Sequence, residues 1–166
     1  SSGKRKKEKM TDFTQWFGEV SRGQELYFAY GSNMNKDQMN ARCPRSKALA
    51  IAKLSEHRFL INSRGVATVI PCSEYFVYGI IWLLSHGDED TLDYYEGVKD
   101  KIYYKKEINV KVVNDKISTL IYIATDMVQG TPRTGYLETV IEGAQSFSAH
   151  QEWLRELKSW FVNKSK

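Results

Sequence analysis

Two places in the sequence bring together residue types that could do chemistry. One is Tyr30-Gly31-Ser32-Asn33, where the hydrophobic run Leu26–Tyr30 stops on three small or turn-forming residues. Turn conformations of Gly-Ser-Asn can point successive backbone N–H groups into one concavity, and a helix starting near Asn35 adds its dipole. Such a nest attracts a carboxylate or a phosphate. The other place is Glu96, in Leu92-Asp93-Tyr94-Tyr95-Glu96-Gly97. Asp88, Glu89 and Asp90 fall in the first turn of the helix expected there, where negative charge is stabilised. Glu96 stands at the opposite end, where the dipole disfavours it. That position and partial desolvation by Tyr94 and Tyr95 should raise its pKa and make it a better proton acceptor for an amine. Taken alone, composition favours the blander reading of each: a plain turn and a solvated helix-end glutamate.

Other chemistries find little support. Gly31-Ser32 follows a strand as in a nucleophile elbow, but the second glycine of G-x-S-x-G is missing, and His57, His86 and His150 come with no evident triad partner. These histidines read as surface or satisfied polar residues. The phosphate-binding pattern G-x-x-x-x-G-K-[ST] is absent, and no dinucleotide fingerprint is present. Cys43 and Cys72 lie far apart without a Cys-x-x-Cys or zinc-finger spacing, so neither a disulfide framework nor a metal site is expected. They read as reduced thiols of a cytoplasmic protein.

The 166 residues suit one domain with a sizeable core. No apolar run approaches the roughly 20 residues of a membrane span, and no signal peptide is visible. The formal charge of +4 sits in residues 1–10, which hold five basic residues and one acidic residue; the remainder holds 19 of each. A nucleic-acid binder would be expected to carry its basic face on the folded part. Residues 1–10 are accordingly read as a disordered basic tail whose Ser1-Ser2-Gly3 looks like an expression remnant.

The elements that must position these residues follow from periodicity. Phe13, Trp16, Phe17 and Val20 give a short amphipathic helix over 11–22, continued by a linker to residue 25. After the strand Leu26–Tyr30, Asn35 and Gln38 resemble a capping box opening a helix to about Arg42, which Cys43-Pro44 ends. From Lys47 to about Ser85 four strands are predicted, in an antiparallel sheet. Ser85 and Asp88 resemble another capping box for the helix that Gly97 stops. Residues 102–113 and the run from Ile117 to Thr125 form a hairpin about an Asn114-Asp115 turn. Thr131-Pro132 should open a helix to about Gln145, and Ser148 should cap a last helix with Trp153, Leu154, Leu157, Trp160 and Phe161 on its apolar side. Without regular βαβ alternation, the fold class is α+β: a small mixed or antiparallel sheet, curled, with helices around it.

Tyr27–Tyr30 with Gly31-Ser32-Asn33-Met34, and Leu92–Val98, resemble the γ-glutamylcyclotransferase (AIG2-like) family in motif and in order. Gly65–Pro71, Tyr78–Trp82, Glu96–Val110 and Gly135–Ala144 extend the resemblance over about residues 26–147, so that 26–166 reads as one such domain. The resemblance implies a small β-barrel flanked by helices with a cavity at one end. It also implies a substrate-holding loop at Tyr30, Gly31, Ser32 and Asn33, and Glu96 as catalytic acid/base. Tyr103 and Tyr136 match cavity-lining positions, with a packed aromatic as the alternative for each. The implied reaction is intramolecular cyclisation of a γ-glutamyl amide to 5-oxoproline with release of an amino acid or amine, an acyl transfer that needs no metal or cofactor.

The chain departs from the family in its residue 11–22 helix, which precedes a strand usually close to the N-terminus. A partner or a second copy could pair with it, so an oligomer is one expectation. The expected partner otherwise is a small γ-glutamyl substrate, with no nucleic acid and no membrane. The competing reading is a non-catalytic module that binds a small ligand or a partner on the same fold. The leaving group cannot be named from the loop, although Tyr-Gly-Ser-Asn looks closer to the branches acting on γ-glutamyl amino acids and antibiotic intermediates than to the γ-glutamylamine branch.

Overall fold

A computed structural model describes residue 20 and residues 23–161. The basic tail over 1–10 and nearly all of the helix expected over 11–22 lie outside the described residues.

Strand β1 (Glu25–Ala29) is buried on both faces from Leu26 onward, which is why it reads as an unbroken apolar run rather than an alternation. It pairs antiparallel with β3 (Ala67–Leu84) and parallel with β5 (Asp115–Ala124). Strand β2 (Lys47–Ile61) pairs antiparallel with β3 and with β4 (Tyr103–Val112), and β4 and β5 form a hairpin. The order β1-β3-β2-β4-β5 closes into a barrel, as the family resemblance implied and in keeping with the α+β fold class. Among the described residues no helix is long and apolar enough to cross a membrane.

The four strands expected between Lys47 and Ser85 are two long, bent ones. Register breaks between Ala48 and Ala50 and between Ser55 and His57, with Glu56 and Glu74 in left-handed conformations, bend the ladder without ending it. Bulges of this kind let one strand turn around a barrel, and their polar residues resemble turn punctuation. The β4–β5 turn is Val113-Asn114 rather than Asn114-Asp115, since Val112 pairs with Asp115 and Val113 carries the positive φ.

Among the described residues four helices surround the barrel. Helix α1 (Lys36–Arg42) starts as expected: the Asn35 side chain accepts from the N–H groups of Asp37 and Gln38 at 3.1 and 3.2 Å. Helix α2 (Asp88–Tyr95) is preceded by Gly87, in the left-handed region, rather than by a Ser85 side-chain cap. Asp88 accepts from the Ser85 N–H at 2.7 Å, but the Ser85 hydroxyl donates to Arg45 instead. Helix α3 (Tyr136–Ser146) begins after Gly135. The stretch from Thr131 to Thr134 is not helical, because Arg133 N–H donates to Gly65 O across the barrel mouth. Helix α4 (Gln151–Lys158) follows His150, not Ser148, and ends in the 3-10 turn Ser159–Phe161. Trp153, Leu154, Leu157 and Trp160 are buried, whereas Phe161, expected with them, is 45% exposed.

Candidate functional site

The candidate site lies at the barrel end where β1 finishes and β3 and β4 begin. After Ala29 the chain leaves the sheet through Tyr30 and Gly31 into a 3-10 turn, Ser32–Met34, closed by Met34 N–H donating to Gly31 O at 3.1 Å. The N–H groups of Ser32 and Asn33 open this turn and have no acceptor within it. The turn is clamped from behind by α3. A Cβ on Gly143 would come within 2.6 Å of the Met34 carbonyl carbon and the Asn35 nitrogen, so only glycine lets the helix seat this closely. Asn35 Nδ2 donates to Thr139 O of the same helix at 3.3 Å.

Glu96 arrives from the other side, at the C-cap of α2. The helix ends in a complete Schellman motif: Val98 N–H donates to Asp93 O at 3.0 Å and Gly97 N–H to Tyr94 O at 3.2 Å, with Gly97 at φ 65°. Helix α2 is itself tied to the barrel wall. Lys105 of β4 bridges Glu89 and Asp93 at 2.5 and 2.9 Å, and the Tyr122 hydroxyl of β5 donates to Asp93 at 2.7 Å. The Glu96 backbone is therefore fixed at both ends of its helix.

Asn33 joins these parts. Its Nδ2 donates to the Tyr27 hydroxyl at 3.0 Å and, more weakly, to Glu96 Oε1 at 3.4 Å. Its Oδ1 accepts from Gln38 at 2.9 Å and from Arg42 at 3.0 Å. Gln38 does not complete the expected capping box; its amide instead holds the turn, donating to Ser32 Oγ at 2.7 Å as well as to Asn33. The Arg42 guanidinium stacks 4.4 Å over the Tyr95 ring.

Around this junction opens a cavity of about 650 Å³. Tyr30, Gly31, Ser32, Asn33, Glu96, Tyr103 and Tyr136 all line it, so every residue proposed from the sequence meets there. The three tyrosines hold the wall together. Tyr103 donates to Ala67 O at 2.6 Å, Tyr136 accepts from Ala67 N–H at 3.1 Å, and Tyr30 donates to Tyr122 O at 2.5 Å. A Cβ on Gly31 would approach the Tyr136 hydroxyl to 3.0 Å.

Burial pushes the Glu96 carboxyl up from 4.5 to about 7, with the Arg42 charge pulling the other way. The direction is as expected and desolvation is its cause, but Tyr94 and Tyr95 are not its source. Tyr94 and Tyr95 are 81% and 51% exposed and shield little; the barrel end supplies the burial. Burial also lifts the Tyr27, Tyr30 and Tyr103 hydroxyls far above their ordinary range and Tyr136 to about 12, so all four are protonated at neutral pH.

The sequence reading missed Tyr27, Gln38, Arg42, Arg64 and Arg133, which share the lining. Gln38 and Arg42 carried a signal: together with Asp37 they are the polar positions of a helix whose N-terminus abuts the loop. Arg64 and Arg133 carried none, since only the barrel closure brings them together.

The sequence-family model described as the AIG2-like family matches residues 76–157, the stretch from mid-β3 to α4 that includes Glu96. A γ-glutamylcyclotransferase of Mus musculus is 28% identical over 152 residues, covering 85% of this chain and 81% of the relative. That of Homo sapiens is 28% identical over 145 residues, covering 81% and 77%. A solved structure of a γ-glutamyl cyclotransferase superposes with a TM-score of 0.78 at 26% identity, over 84% of this chain and 89% of the other. In sequence and in fold the chain is similar to the AIG2-like γ-glutamylcyclotransferase family. The closed barrel with four helices is thus that family's fold, and the cavity occupies the end to which both γ-glutamylcyclotransferase-like sequence motifs contribute.

Proposed function

We propose that the protein is a γ-glutamylcyclotransferase, cyclising a γ-glutamyl amide to 5-oxoproline and releasing an amino acid or amine, with Glu96 as general acid/base. The observation that supports this most is Glu96 itself: a half-buried carboxyl with a pKa about 7, beside the Ser32–Met34 turn in a cavity walled by protonated tyrosines.

The substrate brings its own nucleophile. The α-ammonium loses a proton to Glu96, the free amine attacks the γ-carbonyl carbon, and the new C–N bond closes a five-membered ring. The amide C–N bond then breaks as the leaving nitrogen is protonated. Two protons pass in all from the attacking to the leaving nitrogen, with Glu96 carrying them, and the carboxylate is regenerated. The Asn33 N–H and the hydroxyls of Tyr27 and Tyr136, which only accept bonds from the wall, offer donors to the charge that develops on the carbonyl oxygen. Holding the folded-back conformer supplies much of the rate, since aligned intramolecular reactions reach effective molarities of roughly 10⁵–10⁸ M.

The test is mass-spectrometric detection of 5-oxoproline after incubation with γ-glutamyl amino acids, γ-glutamyl amines and glutathione. Glu96→Gln should fall by about 10²–10⁴-fold. Undiminished turnover in that variant removes Glu96 from the mechanism. Stabilisation of the wild type by 5-oxoproline without any turnover would make the protein a binding module.

A further inference from the structure

The cavity mouth carries two cations that this mechanism leaves idle. Arg64 lies in the turn between β2 and β3, and Arg133 in the extended stretch before α3; both are exposed and both line the cavity. The backbone binds them into one unit. Arg133 N–H donates to Gly65 O at 3.0 Å, Arg133 Nε to Arg64 O at 2.7 Å, and Arg64 N–H to Asn62 Oδ1 at 3.1 Å. The stem of Arg133 lies over Gly65 so closely that a methyl group there would come within 2.6 Å of its Cγ.

Their place relative to the reacting centre follows from the chain. Arg64 is three residues before Ala67, and Arg133 three residues before Tyr136. Ala67 and Tyr136 are bonded to each other on the inner wall. Three residues span at most about 10 Å, so both arginines stand one short step outward from that wall. With the glutamyl half of a γ-glutamyl amide at the Ser32–Met34 turn, this rim of the same cavity is open to the half beyond the scissile bond.

The charge there is unspent. Among the described residues neither arginine forms an ion pair, the salt bridges being those of Lys105. Asp126 feels Arg64 electrostatically, but its carboxylate accepts from Ser63 Oγ and Val128 N–H. Asp100 is the one other acid besides Glu96 among the lining residues, against Arg42, Arg64 and Arg133. Resting on the cyclotransferase reading, we infer that Arg64 and Arg133 form an anion subsite for a carboxylate on the leaving group. The released half is then an amino acid or peptide with a free C-terminal carboxylate, not a neutral or cationic amine. Arg133, its Nε already committed to Arg64 O, offers its terminal nitrogens, and Arg64 its whole guanidinium. The two can grip a carboxylate from adjacent sides.

The experiment compares kcat/KM for γ-glutamyl-alanine and γ-glutamyl-alaninamide, which differ only in that carboxylate, in the wild type, Arg64→Gln and Arg133→Gln. At a mouth open to water, the carboxylate should be preferred by about tenfold, less than a fully buried pair would give. The preference should shrink at high salt and fall toward unity in both variants. A merely structural arginine would lower both substrates together. Equal turnover of the two substrates by the wild type, or a preference that survives both substitutions, overturns the subsite. Absence of 5-oxoproline from both substrates overturns the cyclotransferase reading first, and the subsite with it. Should a variant fail to fold, the wild-type ratio and its salt dependence still decide.

Discussion

Replacing Glu96 by glutamine should inactivate the protein and at the same time make it more stable, but only above a certain pH. Burial raises the carboxyl from 4.5 to about 7, which means that the folded state holds this proton more tightly than the unfolded chain does. Ionising Glu96 inside the fold therefore costs stability. The cost is absent below the unfolded value of 4.5, grows as pH rises, and is complete above about 7. At about 1.4 kcal/mol per tenfold change in proton affinity, the whole shift amounts to about 3 kcal/mol. Water reaching the carboxyl through the cavity reduces this, and about 2 kcal/mol is a reasonable expectation. Glutamine has nearly the same shape and no charge to desolvate, and Asn33 keeps its bonds to Tyr27, Gln38 and Arg42. For a chain of this size, a melting temperature about 4–8 °C higher is expected at pH 8 and no difference at pH 4. Thermal melts of the two proteins from pH 4 to 8.5 measure this directly. The other carboxylates titrate alike in both and cancel in the difference. A Glu96→Gln protein that melts no higher than wild type at pH 8, or differs by the same amount at every pH, would show that Glu96 is not held at a desolvated site.

Two other perturbations follow from the same geometry. Arg42 is the charge that opposes the rise in the Glu96 pKa, so Arg42→Met should move the acid limb of the kcat/KM profile to higher pH; an unmoved limb would mean that the two groups are not electrostatically linked. Gly143→Ala forces a methyl group into the backbone of Met34 and Asn35 and should cost about 1–3 kcal/mol by denaturant unfolding, with activity falling as the turn is displaced. A neutral Gly143→Ala would mean that α3 does not set the position of the turn.

Much of this was legible in the sequence because it rests on local rules. Asn35 reads as a helix cap and is one, and Gly97 reads as a stop and closes a Schellman motif. The elements that misled are those where a distant contact outweighs a local signal. Thr131-Pro132 has the composition of a helix start, yet Arg133 N–H is claimed by Gly65 and the helix waits until Tyr136. The polar residues at Glu56 and Glu74 resemble the ends of strands but are bends within them, because the barrel needs its longest strands to turn corners. At the site, the residues adjacent in sequence, Tyr30 to Asn33, and the out-of-place Glu96 could be singled out from type and position. Tyr27 looked like one more core aromatic of β1, and nothing short of the folded barrel puts its hydroxyl 3.0 Å from Asn33.

Asn33 has an unusual standing among these residues. Its amide makes two donations and two acceptances, to Tyr27, Glu96, Gln38 and Arg42, which is all that an amide can make. The side chain is thus fully subscribed before any ligand arrives, and its orientation admits no flip. Three of the four bonds are 3.0 Å or shorter and the fourth, to Glu96, is 3.4 Å. An incoming ammonium could take over that longest link and leave the other three in place. Asn33 would then serve as a placeholder: it keeps the carboxylate company while the cavity is empty and yields it without unfastening the loop.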